Sequence, residues 1–171
     1  MNSQPKHHGA GDSVPPITQS VLAGQVFVAD TPTRFSTILG SCVAVCLFDL
    51  QAGIGGINHI QMPGVPREIN DEPMRWAVPG TEDLIEKVLK AGADKTRLRA
   101  KIFGGACIST RKVPERMRIG DLNISSVLAV LKQHGIRISN SSTGGNVGIK
   151  VLFDSHNGNV WVKKLVQETG K

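Results

Sequence analysis

Apolar and polar positions alternate along much of this chain with the period of a strand, interrupted twice by the period of a helix. A short strand is predicted over Gln25–Val28, and an extended segment over Arg34–Leu39 leads into Gly40-Ser41-Cys42. The continuous apolar run Val43–Phe48 has strand length and stops at Asp49; a second apolar run, Ile54–Met62, ends at Pro63. Two such runs joined by a few turn-prone residues predict a β-hairpin. A proline-rich stretch from Pro63 through Pro66 and Pro73 to Pro79 reads as a long irregular loop, and loops of that length often serve function. From Thr81 to Ala91 the period changes: Leu84, Ile85, Val88 and Leu89 share one helical face, with Glu86 and Lys90 spaced as an i,i+4 pair and Gly92 as a C-cap. Lys95, Arg97, Arg99 and Lys101 then alternate with Leu98, Ala100 and Ile102, the pattern of a strand with one buried and one positive face. A second helix is predicted from Asp121, burying Ile124, Val127, Leu128 and Leu131 before Gly135. Ile136–Ile138 reads as a short strand, and Val147–Phe153 with Asn159–Leu165 as a hairpin turning at Asn157-Gly158. The fold class is therefore α/β or α+β, strand-rich with two main helices and no internal repeat.

Composition narrows the setting. The 171 residues suit one domain, with 40% hydrophobic and 20% charged residues. No apolar run approaches the roughly 18 residues of a membrane span. Residues 1–22 are polar, contain Pro5, Pro15 and Pro16 and lack a signal-peptide stretch, so a disordered tail over 1–22, one domain over 23–171 and a cytoplasmic location are expected. Three cysteines, an odd number without CxxC spacing, argue against a disulfide framework or a zinc site. The net charge of +6 is concentrated between positions 95 and 118, where Lys95, Arg97, Arg99, Lys101, Arg111, Lys112, Arg116 and Arg118 face Glu115 alone among acids. Such a patch suits an acidic partner or a solvated face; scarce aromatics, 4% with no tyrosine, disfavour nucleic acid.

The strongest chemical signal joins Cys42 to His59. A four-residue hairpin loop over Asp49–Ala52 would set Cys42 directly opposite His59, on one face and within thiol–imidazole reach. An imidazole base activates a cysteine nucleophile, and a hydroxyl or carboxyl must orient the ring. Ser36 and Thr37, shortly before the cysteine, are both candidates for that role. Gly40 and Ser41 put the sulfur on a flexible turn where the backbone N–H groups of Ser41 and Cys42 can face an oxyanion. Cysteine is also commonly a small buried hydrophobe, which is the reading for Cys46 and Cys107. His134 reads as a helix-end dipole partner, His156 as a turn residue and His7-His8 as a solvated pair. The glycine pairs Gly55-Gly56, Gly104-Gly105 and Gly144-Gly145 lack a P-loop lysine or a GxGxxG setting, so they are read as permitting close backbone approach around a site.

Several segments together resemble the CheD family of chemoreceptor glutamine deamidases: Leu39-Gly40-Ser41-Cys42-Val43-Ala44-Val45-Cys46, Gly55-Gly56-Ile57-Asn58-His59-Ile60-Gln61-Met62-Pro63, Lys101-Ile102-Phe103-Gly104-Gly105-Ala106, Ile119-Gly120-Asp121-Leu122-Asn123 and Thr143-Gly144-Gly145-Asn146. The resemblance spans roughly residues 23–165. It implies a layered α/β/β sandwich similar to deamidating bacterial toxins, with Cys42 as nucleophile and His59 as base. The family's orienting threonine lies six residues before the cysteine; here that position holds Ser36, with Thr37 beside it. An arginine common in the family near Ile149 is absent, and Lys150 stands nearby. The implied activity is hydrolysis of receptor glutamines to glutamate with release of ammonia, without metal or cofactor. The implied partners are methyl-accepting chemotaxis receptors, a CheC-type phosphatase and no nucleic acid; the protein acts on membrane-anchored receptors without inserting into the membrane. A binding protein that regulates such a phosphatase is the alternative. Arg97 and Arg99 would dock glutamate-rich receptor helices, with Gly104, Gly105, Gly144, Gly145 and Asn146 lining the substrate or partner surface.

Overall fold

The structure, a computed structural model, describes residues 17–109, 113–114 and 117–165. Residues 1–16, with His7 and His8, and Arg111, Lys112 and Arg116 of the basic stretch lie outside the described residues. Among the described residues, nine strands and two α-helices follow in chain order: β1 (Ile17–Ser20), β2 (Val26–Ala29), β3 (Thr33–Leu39), β4 (Val43–Asp49), β5 (Ile54–Asn58), a 3-10 turn (Pro73–Arg75), α1 (Ala77–Lys90), β6 (Arg99–Gly104), α2 (Ile119–Gln133), β7 (Arg137–Thr143), β8 (Ile149–Asp154) and β9 (Val160–Lys164). Within the stretch expected as a tail, Ile17–Ser20 forms β1 and pairs in parallel with β3.

Two sheets stack, one ordered β1-β3-β8-β9 and the other β2-β5-β4-β6-β7. The continuous apolar run of β4 feeds both of its faces, which is why every residue of that strand is buried. Val43, Val45 and Leu47 join Leu84, Ile85 and Val88 of α1 and Val127 and Leu131 of α2 in one core. Ala44, Cys46 and Phe48 join Phe35, Leu39, Val151 and Phe153 of the other sheet in a second. The layers therefore run helices, five-stranded sheet, four-stranded sheet, in agreement with the α/β/β sandwich that the resemblance implied. The few aromatics concentrate in the second core: Phe35 stacks on Phe27 at 6.3 Å and on Phe153 at 6.2 Å between ring centres.

The elements deviate from expectation in informative ways. α1 begins at Ala77, four residues early, and takes Pro79 into its first turn, where a missing N–H costs no helical hydrogen bond. On α2, Gly120, Asn123, Val127, Val130 and Leu131 are buried, while Leu128 is exposed. The face turned inward is therefore rotated toward Asn123. β7 runs on to Thr143 with all seven residues exposed, held by its parallel ladder to β6.

The β4–β5 hairpin corrects the expected register. Asp49 stays in the strand and pairs with Ile54, and Phe48 pairs with Gly55 rather than Gly53. The cause is the Asp49 side chain, which accepts from the N–H groups of Gln51 and Ala52 while Gly53, at φ 67°, donates to the Asp49 carbonyl. The loop is thus Leu50–Gly53. Every partner moves by two positions, so the residues sharing a face are unchanged.

The same Asp49 carboxylate receives Arg97 in a fork, Nε at 3.1 Å and Nη2 at 2.8 Å, and the N–H of Asp94. The Arg97 bond foremost holds the carboxyl down to about 2. A depressed carboxylate stabilises the fold above its ordinary range near 3.9, and that contribution is lost as pH falls from about 4 through about 2. Asp49→Ala is expected to cost about 3 kcal/mol and lower Tm by roughly 6–12 °C, read by thermal unfolding near pH 7. The mutant's Tm should vary less with pH between 5 and 2 than that of the wild type.

Candidate active site

Cys42 follows directly on the turn that leaves β3, and its side chain packs against the core between the sheets. The ladder reaches Val43↔Ile60, so the next position outward sets Cys42 against Gln61, with His59 one diagonal step away rather than directly opposite. His59 is 7% exposed and lies just past β5. Alternation on β3 then decides between the two hydroxyls. Thr33, Phe35, Thr37 and Leu39 are buried against the second core, whereas Ser36 belongs to the opposite, outer set and is half-buried. Thr37 Oγ1 stands 2.9 Å from His59 Nδ1; Ser36 makes no such contact.

Hydrogen-bond chemistry fixes the ring's proton. Thr37 donates its one hydroxyl proton to the Val21 carbonyl at 2.7 Å, and that carbonyl also lies 3.3 Å from His59 Nδ1. A carbonyl only accepts, and Thr37 has spent its proton, so Nδ1 carries the hydrogen and Nε2 is left as the acceptor. Burial lowers the His59 pKa; the Val21 bond raises it, and the Arg75 cation lowers it further. Burial raises the Cys42 pKa, against the pull of Arg75 and of the residue's own backbone N–H. The resting centre is therefore neutral thiol beside neutral imidazole. Among the described residues no hydrogen bond joins the two, as is common before substrate tightens a catalytic contact.

The turn beneath the thiol is anchored through its carbonyls. Gly40 O accepts from Ala106 N and Cys42 O from Gly105 N, both at 2.8 Å, while Ser41 O accepts from Asn123 Nδ2 at 3.0 Å. A Cβ on Gly104, at φ 98°, would overlap the Cys42 carbonyl, and one on Gly105 would collide with Ile124 of α2. The Gly104-Gly105 pair is thus the means by which β6 closes on the Gly40–Cys42 turn, which matches the close-approach reading. Gly144 N reaches Gly104 O, and Gly145 O accepts from Cys107 N. Gly144, Gly145 and Asn146 line a cavity of about 210 Å³ with Ser142 and Lys164, behind that pair. A second cavity of about 270 Å³, mostly apolar and lined by Ser41, Cys107, Ile108, Met117 and Ile119, opens beside the turn.

Other candidates settle elsewhere. Arg97 is committed to Asp49, and Arg99 to the carbonyls of Thr96 and Leu98. Arg99 opens β6 at the end remote from Gly104, about 17 Å along the strand at ~3.3 Å per residue, and Arg97 lies before that strand. The charge pattern did not reveal this structural duty, so neutralising Arg97 removes a fold contact before any receptor contact. Cys46 is fully buried and burial drives its pKa far upward, the behaviour of an inert core thiol. His134 pairs with Glu82 at 2.6 Å. Among the described residues no three His, Cys, Asp or Glu side chains gather to hold a metal ion, and no helix is long and apolar enough to cross a membrane. Sequence reasoning missed Arg75, Val21 and Asn123. The first two act through charge and backbone, and the third appeared only as part of a motif.

Comparison with known proteins supplies a family. Residues 62–164, more than half of the chain though beyond both Cys42 and His59, match the model described as CheD chemotactic sensory transduction. A probable chemoreceptor glutamine deamidase CheD 1 of Anaeromyxobacter dehalogenans is 40% identical over 84% of this chain and 82% of its own length. One from Agrobacterium fabrum is 41% identical over 74% and 67%, and one from Methanococcus vannielii 35% identical over 84% and 93%. Among solved structures, Bacillus licheniformis YfiH is 13% identical, with a TM-score of 0.48 over 78% of this chain and 61% of that one.

Proposed function

This chain belongs to the CheD family, and from that premise we propose that it is a cytoplasmic chemoreceptor glutamine deamidase whose nucleophile is Cys42. The observation that carries the residue assignment is the Val21–Thr37–His59 hydrogen-bond chain, which leaves Nε2 of a buried neutral imidazole free on the face it shares with the thiol.

The chemistry follows from that arrangement. Cys42 Sγ attacks the side-chain carboxamide carbon of a receptor glutamine while His59 Nε2 takes the thiol proton. The tetrahedral oxyanion is held by backbone N–H groups of the 40–42 turn. As the C–N bond breaks, His59 returns the proton to the departing ammonia, leaving a thioester. Water then attacks the thioester with His59 as base, the C–S bond breaks, and glutamate and the free thiol emerge. Water and glutamine in, glutamate and ammonia out, balance without a cofactor. Thr37 orients the ring and stabilises the imidazolium formed in passing. The apolar cavity beside Ser41 offers a seat for receptor side chains flanking the glutamine.

The direct test is incubation with receptor cytoplasmic fragments, following ammonia release and mapping glutamine-to-glutamate conversion by mass spectrometry. No conversion by a folded protein carrying an alkylatable Cys42 would refute the assignment. Comparing the two hydroxyls tests the orienting role. Thr37→Val is expected to lower kcat about tenfold or more, because Val21 O still retains the tautomer but the ring loses its second anchor. Ser36→Ala, on the outer face, should stay within about twofold.

A further inference from the structure

Asn123 is fully buried on the inward face of α2, in a position where a polar side chain is unusual. Its Nδ2 donates to Ser41 O at 3.0 Å and to Gln61 O at 3.1 Å. Two carbonyl partners require a donor, so the amide cannot be turned round. Its Oδ1 is buried and has no hydrogen-bond partner among the described residues. An amide that keeps an unpaired buried acceptor is held there by what its other end grips. What it grips is the peptide before the nucleophile and the segment two residues beyond the base.

The grip has a direction. Among the described residues no peptide bond is cis, so the N–H of Cys42 points opposite to the C=O of Ser41. Asn123 draws that C=O toward the helical layer. The Cys42 N–H is thereby turned toward the space between the sheets, the side on which the Cys42 thiol packs and on which Thr37 meets His59. Rotating this peptide would put a carbonyl where the oxyanion must sit.

We propose that Asn123 is a positioning residue for glutamine hydrolysis: its amide locks the Ser41–Cys42 peptide so that the Cys42 N–H serves as oxyanion donor, and ties that peptide to the strand end bearing His59. This rests on the deamidase reading and concerns a residue that touches neither substrate nor thiol.

The test separates oxyanion support from thiol reactivity. Alkylation of Cys42 by iodoacetamide forms no oxyanion, whereas hydrolysis forms two. Asn123→Ala is expected to lower kcat on a receptor fragment about 10²-fold, as loss of one oxyanion donor does, with KM and the Cys42 alkylation rate within about threefold of wild type. Asn123→Asp keeps the volume and carries the same test if the alanine variant folds poorly. As a carboxylate it can donate to neither carbonyl; once protonated it carries one O–H, which can restore the bond to Ser41 O, so its kcat relative to wild type should rise as pH is lowered. An Asn123→Ala enzyme with wild-type kcat, a loss residing in KM, an alkylation rate that falls in step with kcat, or an aspartate variant with a flat pH ratio would each overturn the proposal. A folded, alkylatable wild type that converts no glutamine would instead overturn the deamidase reading, and this proposal with it.

Discussion

Replacing Cys42 by alanine is expected to abolish glutamine conversion while leaving the fold in place. Neither of the other two cysteines is placed to take over a thioester-forming role. Cys46 is sealed in the core with its ionisation pushed far upward, and Cys107 lies beyond the glycine pair, its N–H bonded to Gly145 O. The Sγ atom is half-buried at the rim of the second core, so its loss should change stability by less than about 1 kcal/mol. Ammonia release from a receptor fragment, together with a thermal melt, checks both halves. Activity surviving in the alanine protein would move the nucleophile elsewhere. A receptor-binding assay on the same variant also bears on the regulatory alternative: retained binding without conversion would show that docking and catalysis separate.

His59→Gln should lower kcat by about 10³-fold or more, the range of a general acid–base group, while the Cys42 thiol remains alkylatable. The pH dependence tells how the pair works. Burial, the larger cause in both cases, lowers the imidazole pKa and raises the thiol pKa, so proton transfer accompanies attack instead of preceding it. Two consequences follow in sign. The base is active when neutral, and its pKa lies below the ordinary histidine range near 6.5, so the acid limb of kcat/KM should fall below that range. Iodoacetamide alkylation, which tracks thiolate, should keep rising through the ordinary cysteine range instead of levelling off at neutral pH. An alkylation plateau below pH 7 would mean a preformed thiolate–imidazolium pair and contradict the neutral resting centre.

Much of this centre could be read from residue order, though by a route that needed correction. The hairpin was legible because two apolar runs met at a turn; its register was not, because the Asp49 carboxylate redraws the loop through hydrogen bonds that no periodicity encodes. The conclusion about Cys42 and His59 sharing a face survived since a shift of two preserves side-chain parity. Thr37 over Ser36 was also readable: Phe35 and Leu39 mark the inward set of β3, and Thr37 belongs to it, whereas counting back from the cysteine pointed to Ser36. Asn123 was not readable as a buried group, because polarity on a helix argues for solvent and only the Ser41 and Gln61 carbonyls explain its burial. Strand β1 escaped, and β7 was foreseen only over Ile136–Ile138, because backbone pairing with β3 and β6, not an apolar face, holds them. The basic stripe was read as a strand from Lys95 onward, but β6 begins only at Arg99, and Arg97 in the turn before it is taken by Asp49, forty-eight positions away.

The position of β3 between β1 and β8 sets when the Thr37–His59 contact is completed. During synthesis the thiol, the imidazole and the threonine all leave the ribosome early. The clamp at residue 123 arrives later, and the second neighbour of β3, Ile149–Asp154, later still. Until that strand is threaded in, half of the backbone ladder that fixes Thr37 is missing. A copy truncated before Ile149 therefore holds Cys42 beside a Thr37–His59 contact that lacks its β8 support.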